Sequence, residues 1–411
     1  MSASLPLAPR ALPDAAARAR WEAADRAARP DRLARFRALL AAEGLDAWFG
    51  VRRETARYLS GFVLGEGEEK VAGVSGQLLV SADEVVLLAD SRYRVQALEE
   101  APDARLAEVY GDLPQRWPEL VGGLRPIGGG APGSVRRIGM EAGAIPHATW
   151  LRLAAALPDV DLVPADGILE QLRAVKEPAE LERIGAACAV ADGALERLLP
   201  RIRPGVTEHE LALELEWQMR THGAEALAFD VACLAGPRAA LPHGSPGARA
   251  VAAGAVLLFD FGAQVAGYRS DMTRTLFVGA PTPADLALHA LVREAQDAAF
   301  TALAAAVDAG VAPTNRAIDA AARAVIVAAG HGPHFGHGLG HGIGLATHEA
   351  PSLGLRAAEA LLPSPSVFSV EPGVYLDGVT GVRIEDLVQL DIAAGTLAFL
   401  TAFPRDVVVV G

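Results

Sequence analysis

Residues 256–278 read VLLFDFGAQVAGYRSDMTRTLFV. Two runs rich in apolar and β-branched side chains flank Ala266-Gly267, the pattern of paired strands joined by a tight turn. A two-residue turn there fixes the register, so that Val265 opposes Tyr268 and Asp260 opposes Thr273. Asp271 then lies on the face of Thr273, diagonal to Asp260, and such diagonal neighbours are about 7–8 Å apart at the backbone. Carboxylates reaching inward from that spacing can flank two metal ions about 3.5–4 Å apart. The alternative is a pair of surface aspartates on a hairpin. It is disfavoured for Asp260, because residues 256–261 are otherwise apolar on both faces and a buried lone carboxylate is costly.

Two further stretches carry chemistry. Residues 331–351, HGPHFGHGLGHGIGLATHEAP, hold five of the ten histidines of the chain. His337, His341 and His348 are threaded on glycines, which let backbone approach an ion or substrate closely. Neutral imidazole suits transition metals, whereas Mg and Ca sites are built from oxygen. A loose, adventitious metal-binding tract is the alternative, and the apolar Phe335, Leu339, Ile343 and Leu345 argue against it. In SVFSVEPGVYLDG (366–378) and GVRIEDLVQL (381–390), Glu371 and Glu385 sit within strand-like apolar runs. Glutamate is unfavourable there unless it is paired or coordinates something. Arg383 is a candidate support or substrate clamp, the alternative being an ordinary ion pair with Asp386. Two Asp, at least one His and two Glu from separate strands suit two divalent ions of the Mn, Co or Zn type. A water held between them becomes hydroxide near neutral pH. No serine stands in a Gly-x-Ser-x-Gly elbow, and GHGLGHGIG lacks the Gly-Lys-Ser/Thr ending of a phosphate loop.

The rest of the chain bounds the reading. Its 411 residues imply two domains. Half the residues are hydrophobic and the formal net charge is -13, which argues against nucleic acid or an anionic membrane as partner. Cys188 and Cys233 are far apart and in no metal-ligand spacing, as in a reducing cytoplasm. The N-terminus has no apolar signal core, and no run is long enough to span a bilayer, so a cytoplasmic location is expected. Residues 1–30 read as a tail with a helix near 15–28, and residues 32–45 as a second helix ended by Gly44. Strands and helices then alternate through an N-terminal α/β domain over residues 31–168. A catalytic domain over 169–411 opens with helices from Pro178 to Leu199 and from Glu208 to about His222. The second of these is started by a Thr207/Glu210 capping box. Alanine-rich helices over 283–306 and 315–329 follow the Asp260/Asp271 hairpin.

The order DFG, GYRSDMTRT, HGLGHGIGLATHE, EPG, GVRIED over roughly residues 175–410 resembles the pita-bread metallopeptidases, which include methionine aminopeptidase, aminopeptidase P and prolidase. In the N-terminal half, ARYLSGF (56–62) and ADSRY (89–93) resemble the extra creatinase-like domain of the proline-specific branch, which methionine aminopeptidases lack. The resemblance implies an α/β fold with a pita-bread catalytic domain. It implies that Asp260 binds one ion, that His341 and Glu371 bind the other, and that Asp271 and Glu385 bridge the two. It assigns His243, in AALPHGSPG, and His348 to the substrate carbonyl and the tetrahedral intermediate. His337, Tyr375 and Arg383 line the pocket, and Glu371 shuttles the proton. The implied activity is hydrolysis of small peptides with proline second, Xaa-Pro dipeptidase being favoured over aminopeptidase P on longer chains. A homodimer is implied, with manganese ahead of cobalt or zinc. A non-catalytic relative would have lost ligands, and none is lost. A creatinase-type hydrolase would work without metals and lack this ligand set.

Overall fold

A computed structural model describes residues 5–65, 67–68 and 73–411. The chain divides into two compact units, one of residues 19–172 and one of residues 1–18 with 173–411. In the first unit, six short strands form one sheet: β1 (Ala47–Gly50), β2 (Gln77–Val80), β3 (Val85–Ala89), β4 (Arg105–Glu108), β5 (Arg137–Met140) and β6 (Asp161–Pro164). Their order is β4-β3-β2-β1-β5-β6, with β2 antiparallel to both neighbours and the other pairs parallel. Strands buried on both faces need cover on both sides. Helices α1 (Ala15–Ala42), α2 (Arg53–Ser60), α3 (Arg94–Glu100), α4 (Leu113–Gly122) and α5 (His147–Ala156) flank them in sequence. Phe49, Ile138, Trp117 and Leu153 meet in the core.

Helix α1 corrects the expectation of two helices. It runs unbroken through Pro30. Proline forfeits one intrahelical hydrogen bond, but Trp21, Phe36 and Leu40 are buried along the same helix, and their burial holds it together. The first residues belong with the second unit: the Ala8 amide donates to the Phe399 carbonyl at 2.8 Å, and Arg10 pairs with buried Asp192.

After α6 (Ile168–Ala174), the second unit opens with α7 (Pro178–Leu198) and α8 (Glu208–Thr221), both started by capping boxes, Thr207 with Glu210 in the second as expected. Then come β7 (Ala226–Leu227), β8 (Ala232–Ala235), β9 (Val256–Phe261), β10 (Ala263–Val265), β11 (Tyr268–Arg269) and β12 (Met272–Val278). Helices α9 (Pro283–Ala309) and α10 (Asn315–Ala328) follow. The chain finishes with β13 (Gly340–Gly342), β14 (Glu349–Leu353), β15 (Ser366–Val370), β16 (Gly373–Leu376), β17 (Thr380–Arg383), β18 (Asp386–Asp391), β19 (Thr396–Phe399) and β20 (Val409–Val410). Among the described residues three sheets result, ordered β20-β12-β9-β8, β14-β13-β15-β18-β19 and β11-β10-β7, with β16-β17 as a separate hairpin. The apolar faces of α9 and α10 (Val292, Phe300, Ile318) pack on Phe368, Val374 and Val388 of the second sheet and the hairpin. Gln296 of α9 donates to the Val370 and Ile384 carbonyls, tying that helix to the chain on either side of the hairpin.

One core group makes this unit acid-sensitive. His289 of α9 is buried beside Phe277, ring centroids 5.9 Å apart, and burial, aided by Arg293, lowers its pKa to about 4. The folded state then binds fewer protons than the unfolded chain between that value and the unfolded His value near 6.5. This contribution is complete above that window and falls as pH drops through it. His289→Gln is therefore expected to flatten the pH dependence of the melting temperature between about pH 4 and 6.5; an unchanged slope would refute the assignment.

Candidate metal centre

The hairpin register is the one set by the turn: Val265 pairs with Tyr268 and Asp260 with Thr273. Asp260 lies near the end of β9, and Asp271 just before β12. His341 is the middle residue of β13, threaded between β14 and β15. Here glycine is a steric requirement. A Cβ on Gly340 would overlap the Ser369 carbonyl, and one on Gly342 the Ala350 carbonyl. Gly340→Ala is expected to push β13 off β15, lowering the melting temperature and weakening metal uptake by more than tenfold; uptake equal to the native protein's would contradict this. Glu371 follows β15, its amide donating to the Leu339 carbonyl at 2.8 Å. Glu385 stands beside β12, its amide donating to the Thr273 carbonyl at 3.1 Å.

These elements bring all five candidate ligands to one point. Asp271, His341 and Glu385 each offer a ligand atom within 4.8 Å of the others. His341 Nε2 is 3.3 Å from Glu371 Oε1 and 3.7 Å from Asp271 Oδ2. Asp271 and Glu385 are almost fully buried. Burial, reinforced by the neighbouring carboxylates, pushes the pKa values of both far above the ordinary range, and burial raises that of Glu371. Four carboxylates packed so closely cannot all ionise without cations among them. Glu385 Oε1 is buried and has no hydrogen-bond partner among the described residues. An orphaned carboxylate oxygen facing other carboxylates and an imidazole is what a cation would satisfy. The oxygen-rich donor set with one nitrogen fits divalent transition ions.

The remaining candidates surround this cluster. Arg383 Nη2 is 2.5 Å from Asp260 Oδ2, Nε donates to Thr273 Oγ1 at 2.8 Å and Nη1 to the Tyr375 hydroxyl at 2.9 Å. The alternative ion pair with Asp386 is not made, because Asp386 is taken by Arg274. His337 Nε2 is 3.0 Å from the Tyr375 hydroxyl. His348 stacks on His341 with ring centroids 4.1 Å apart. Burial, followed by His341, lowers the His348 pKa to about 4, which keeps this imidazole neutral at pH 7. His243 lies on the exposed loop between β8 and β9. All ten candidates line one cavity of about 780 Å³, together with Phe229, His334 and Asp377.

Several supporting residues escaped the sequence reading. Ser369 Oγ donates to Glu371 Oε1 at 3.0 Å and accepts the His341 amide at 3.0 Å. Thr273 Oγ1 donates to Glu385 Oε2 at 2.8 Å. Both were traceable: Ser369 shares a strand face with Glu371, and Thr273 is the ladder partner of Asp260. Asp319 and Arg323 of α10 left no such signal. Asp319 is fully buried and accepts the Leu339 amide, while Arg323 donates to the Phe335 and His337 carbonyls, fixing the backbone ahead of β13.

The family model of metallopeptidase family M24 matches residues 182–391, and that of the creatinase/prolidase N-terminal domain matches residues 32–175. A Bacillus subtilis peptidase is 32% identical over 379 residues, 92% of this chain and 99% of its own length. The Xaa-Pro dipeptidase of Pyrococcus furiosus is 37% identical over 225 residues, 55% of this chain and 63% of that protein. Among solved structures, an Xaa-Pro dipeptidase from Bacillus anthracis matches with a TM-score of 0.80 at 31% identity, covering 92% of this chain and 99% of that one. An X-Pro aminopeptidase from Thermotoga maritima matches with a TM-score of 0.78 at 34% identity over the same shares. Fold and family models together define a metal-dependent peptidase of pita-bread architecture with a creatinase-type N-terminal domain. The chain belongs to metallopeptidase family M24.

Proposed function

We propose that this protein is a dinuclear metal-dependent exopeptidase that hydrolyses the bond between an N-terminal residue and proline. The convergence of Asp260, Asp271, His341, Glu371 and Glu385 around an orphaned buried carboxylate oxygen carries this reading. Asp260 and Asp271 would hold one ion and His341 and Glu371 the other, with Asp271 and Glu385 shared between them. Two divalent ions, manganese before cobalt or zinc, would acidify a water and polarise the scissile carbonyl. Glu371 takes a proton from the attacking water. As the C–N bond breaks, Glu371 returns the proton to the proline nitrogen. His243 and His348 offset the charge that develops on the carbonyl oxygen. Arg383 holds Asp260 in place, and His337 and Tyr375 shape the pocket. A homodimeric, cytoplasmic enzyme is part of the proposal.

The similar Xaa-Pro dipeptidases support dipeptides as substrates. A second reading, cleavage of longer Xaa-Pro peptides, is favoured by one observation. A dipeptide places a free carboxylate in the pocket, and Arg383 is the one guanidinium or ammonium among the described residues lining it. Its three nitrogens already serve Thr273, Tyr375 and Asp260. With Mn²⁺ supplied, cleavage of Ala-Pro alone would establish a dipeptidase, and cleavage of Ala-Pro-Ala and longer peptides an aminopeptidase. Full activity in metal-stripped protein would overturn both.

A further inference from the structure

His348 sits on the cavity wall against His341, yet among the described residues no hydrogen bond from its own ring holds it, so its place follows the backbone of residues 344–348. That loop wraps a buried ionic cluster. Glu349, the next residue, accepts Lys176 Nζ on Oε1 at 2.5 Å. On Oε2 it accepts the Ala346 amide at 3.3 Å and pairs with Arg173. Lys176 Nζ also donates to the Arg173 carbonyl at 2.7 Å, and its own amide donates to the Pro365 carbonyl at 2.8 Å. The side chains of Arg173, Lys176 and Glu349 are 4%, 1% and 4% exposed, so the cluster is withdrawn from water. The chain closes tightly over it: a Cβ on Gly344 would overlap Glu349 Oε1 and approach Lys176 Nζ. On the other side of the loop, Thr347 Oγ1 donates to the Ala228 carbonyl at 3.0 Å and accepts Arg269 Nη1 at 2.8 Å.

We infer that Glu349 is a positioning residue: its carboxylate, held by Arg173 and Lys176, sets the loop that places the His348 imidazole over His341. Two cations against one carboxylate form a rigid anchor, because moving the loop would strand buried charge. A catalytic group displaced by as little as 1 Å can lose about a hundredfold in rate. The inference rests on the peptidase reading above and adds a residue that touches neither substrate nor metal.

A double-mutant cycle on the metal-loaded protein, with an Xaa-Pro peptide, tests it. Glu349→Gln keeps the shape and removes the charge; kcat is expected to fall about ten- to hundredfold with KM changed less than threefold. In a His348→Ala background the same substitution is expected to change kcat less than twofold. Equal losses in both backgrounds would make Glu349 merely structural and overturn the inference. If His348→Ala alone retains native turnover, the role of His348 fails and the inference with it, whereas a loss there with additive Glu349→Gln sinks the inference only. Lys176→Gln, which leaves Glu349 its Arg173 and Ala346 partners, carries the same cycle should Glu349→Gln not fold. A readout independent of turnover is amide hydrogen exchange in metal-free protein. Exchange over residues 344–348 should rise at least tenfold in Glu349→Gln while the Leu339 amide, held by Asp319, stays protected; unchanged exchange over 344–348 would overturn the assignment.

Discussion

Glu371→Gln is expected to lower kcat on an Xaa-Pro substrate by about a thousandfold while leaving the protein folded, the range a general acid–base group supplies. That factor corresponds to about 4 kcal/mol of transition-state stabilisation. The amide is nearly isosteric with the carboxylate. It keeps an oxygen for the Ser369 hydroxyl, and the backbone bond to Leu339 is untouched. What it loses is the negative charge offered to a metal ion and the ability to take a proton from water and return it to the leaving nitrogen. Burial raises the Glu371 pKa above the ordinary carboxylate value. Steady-state kinetics with Ala-Pro and Ala-Pro-Ala, alongside metal content and a melting curve, check this. A variant turning over within threefold of the native enzyme would remove Glu371 from the chemistry.

The second large effect concerns stability. Arg274 of β12 is 2% exposed, and its guanidinium serves five acceptors. Nη1 donates to the Thr273 and Glu385 carbonyls, Nη2 to Asp386 Oδ1 at 2.6 Å and the Phe403 carbonyl at 2.7 Å, and Nε to the Pro404 carbonyl at 3.0 Å. Asp386, also buried, keeps only the Thr401 hydroxyl and the Gln296 amide among the described residues if Arg274 is removed. Arg274→Met therefore strands a buried carboxylate and several carbonyls, and a loss of about 3–5 kcal/mol is expected. Because one of those carbonyls belongs to Glu385, metal affinity should fall with it. Adding Asp386→Leu should restore part of the stability, since two apolar side chains cost less than one unpaired charge. Urea melts of the three variants decide it: an unchanged midpoint for Arg274→Met would mean that the pair contributes nothing.

Arg274 and Arg383 also mark where reading the sequence reached its limit. Both arginines stand two or three residues from an acidic side chain, and spacing alone favours a local ion pair. The fold crosses them instead: Arg274 of β12 reaches Asp386 of β18, and Arg383 of β17 reaches Asp260 of β9. Pairing between strands of different sheets depends on how the sheets meet, which no local period encodes. Pro30 is a similar case. Its local preference is to end a helix, and tertiary burial of Trp21 and Phe36 overrides it. The capping boxes at Thr207 and Thr282 depend on four consecutive residues each, and the first was legible in the sequence for that reason.

By itself the sequence determined the strand register that sets Asp260 against Thr273, because a two-residue turn leaves the ladder one arrangement. It also identified the carboxylates and imidazole suited to divalent ions, because charged groups in apolar strands need a reason to be there. Tertiary structure alone decided that Glu385 keeps a bare oxygen beside Asp271, that Ser369 and Thr273 orient the ligands, and that a buried Arg173–Lys176–Glu349 cluster underlies the His348 loop. Those contacts join residues more than a hundred positions apart in several cases, and their energies depend on exclusion from water, a property of the packed molecule rather than of any segment.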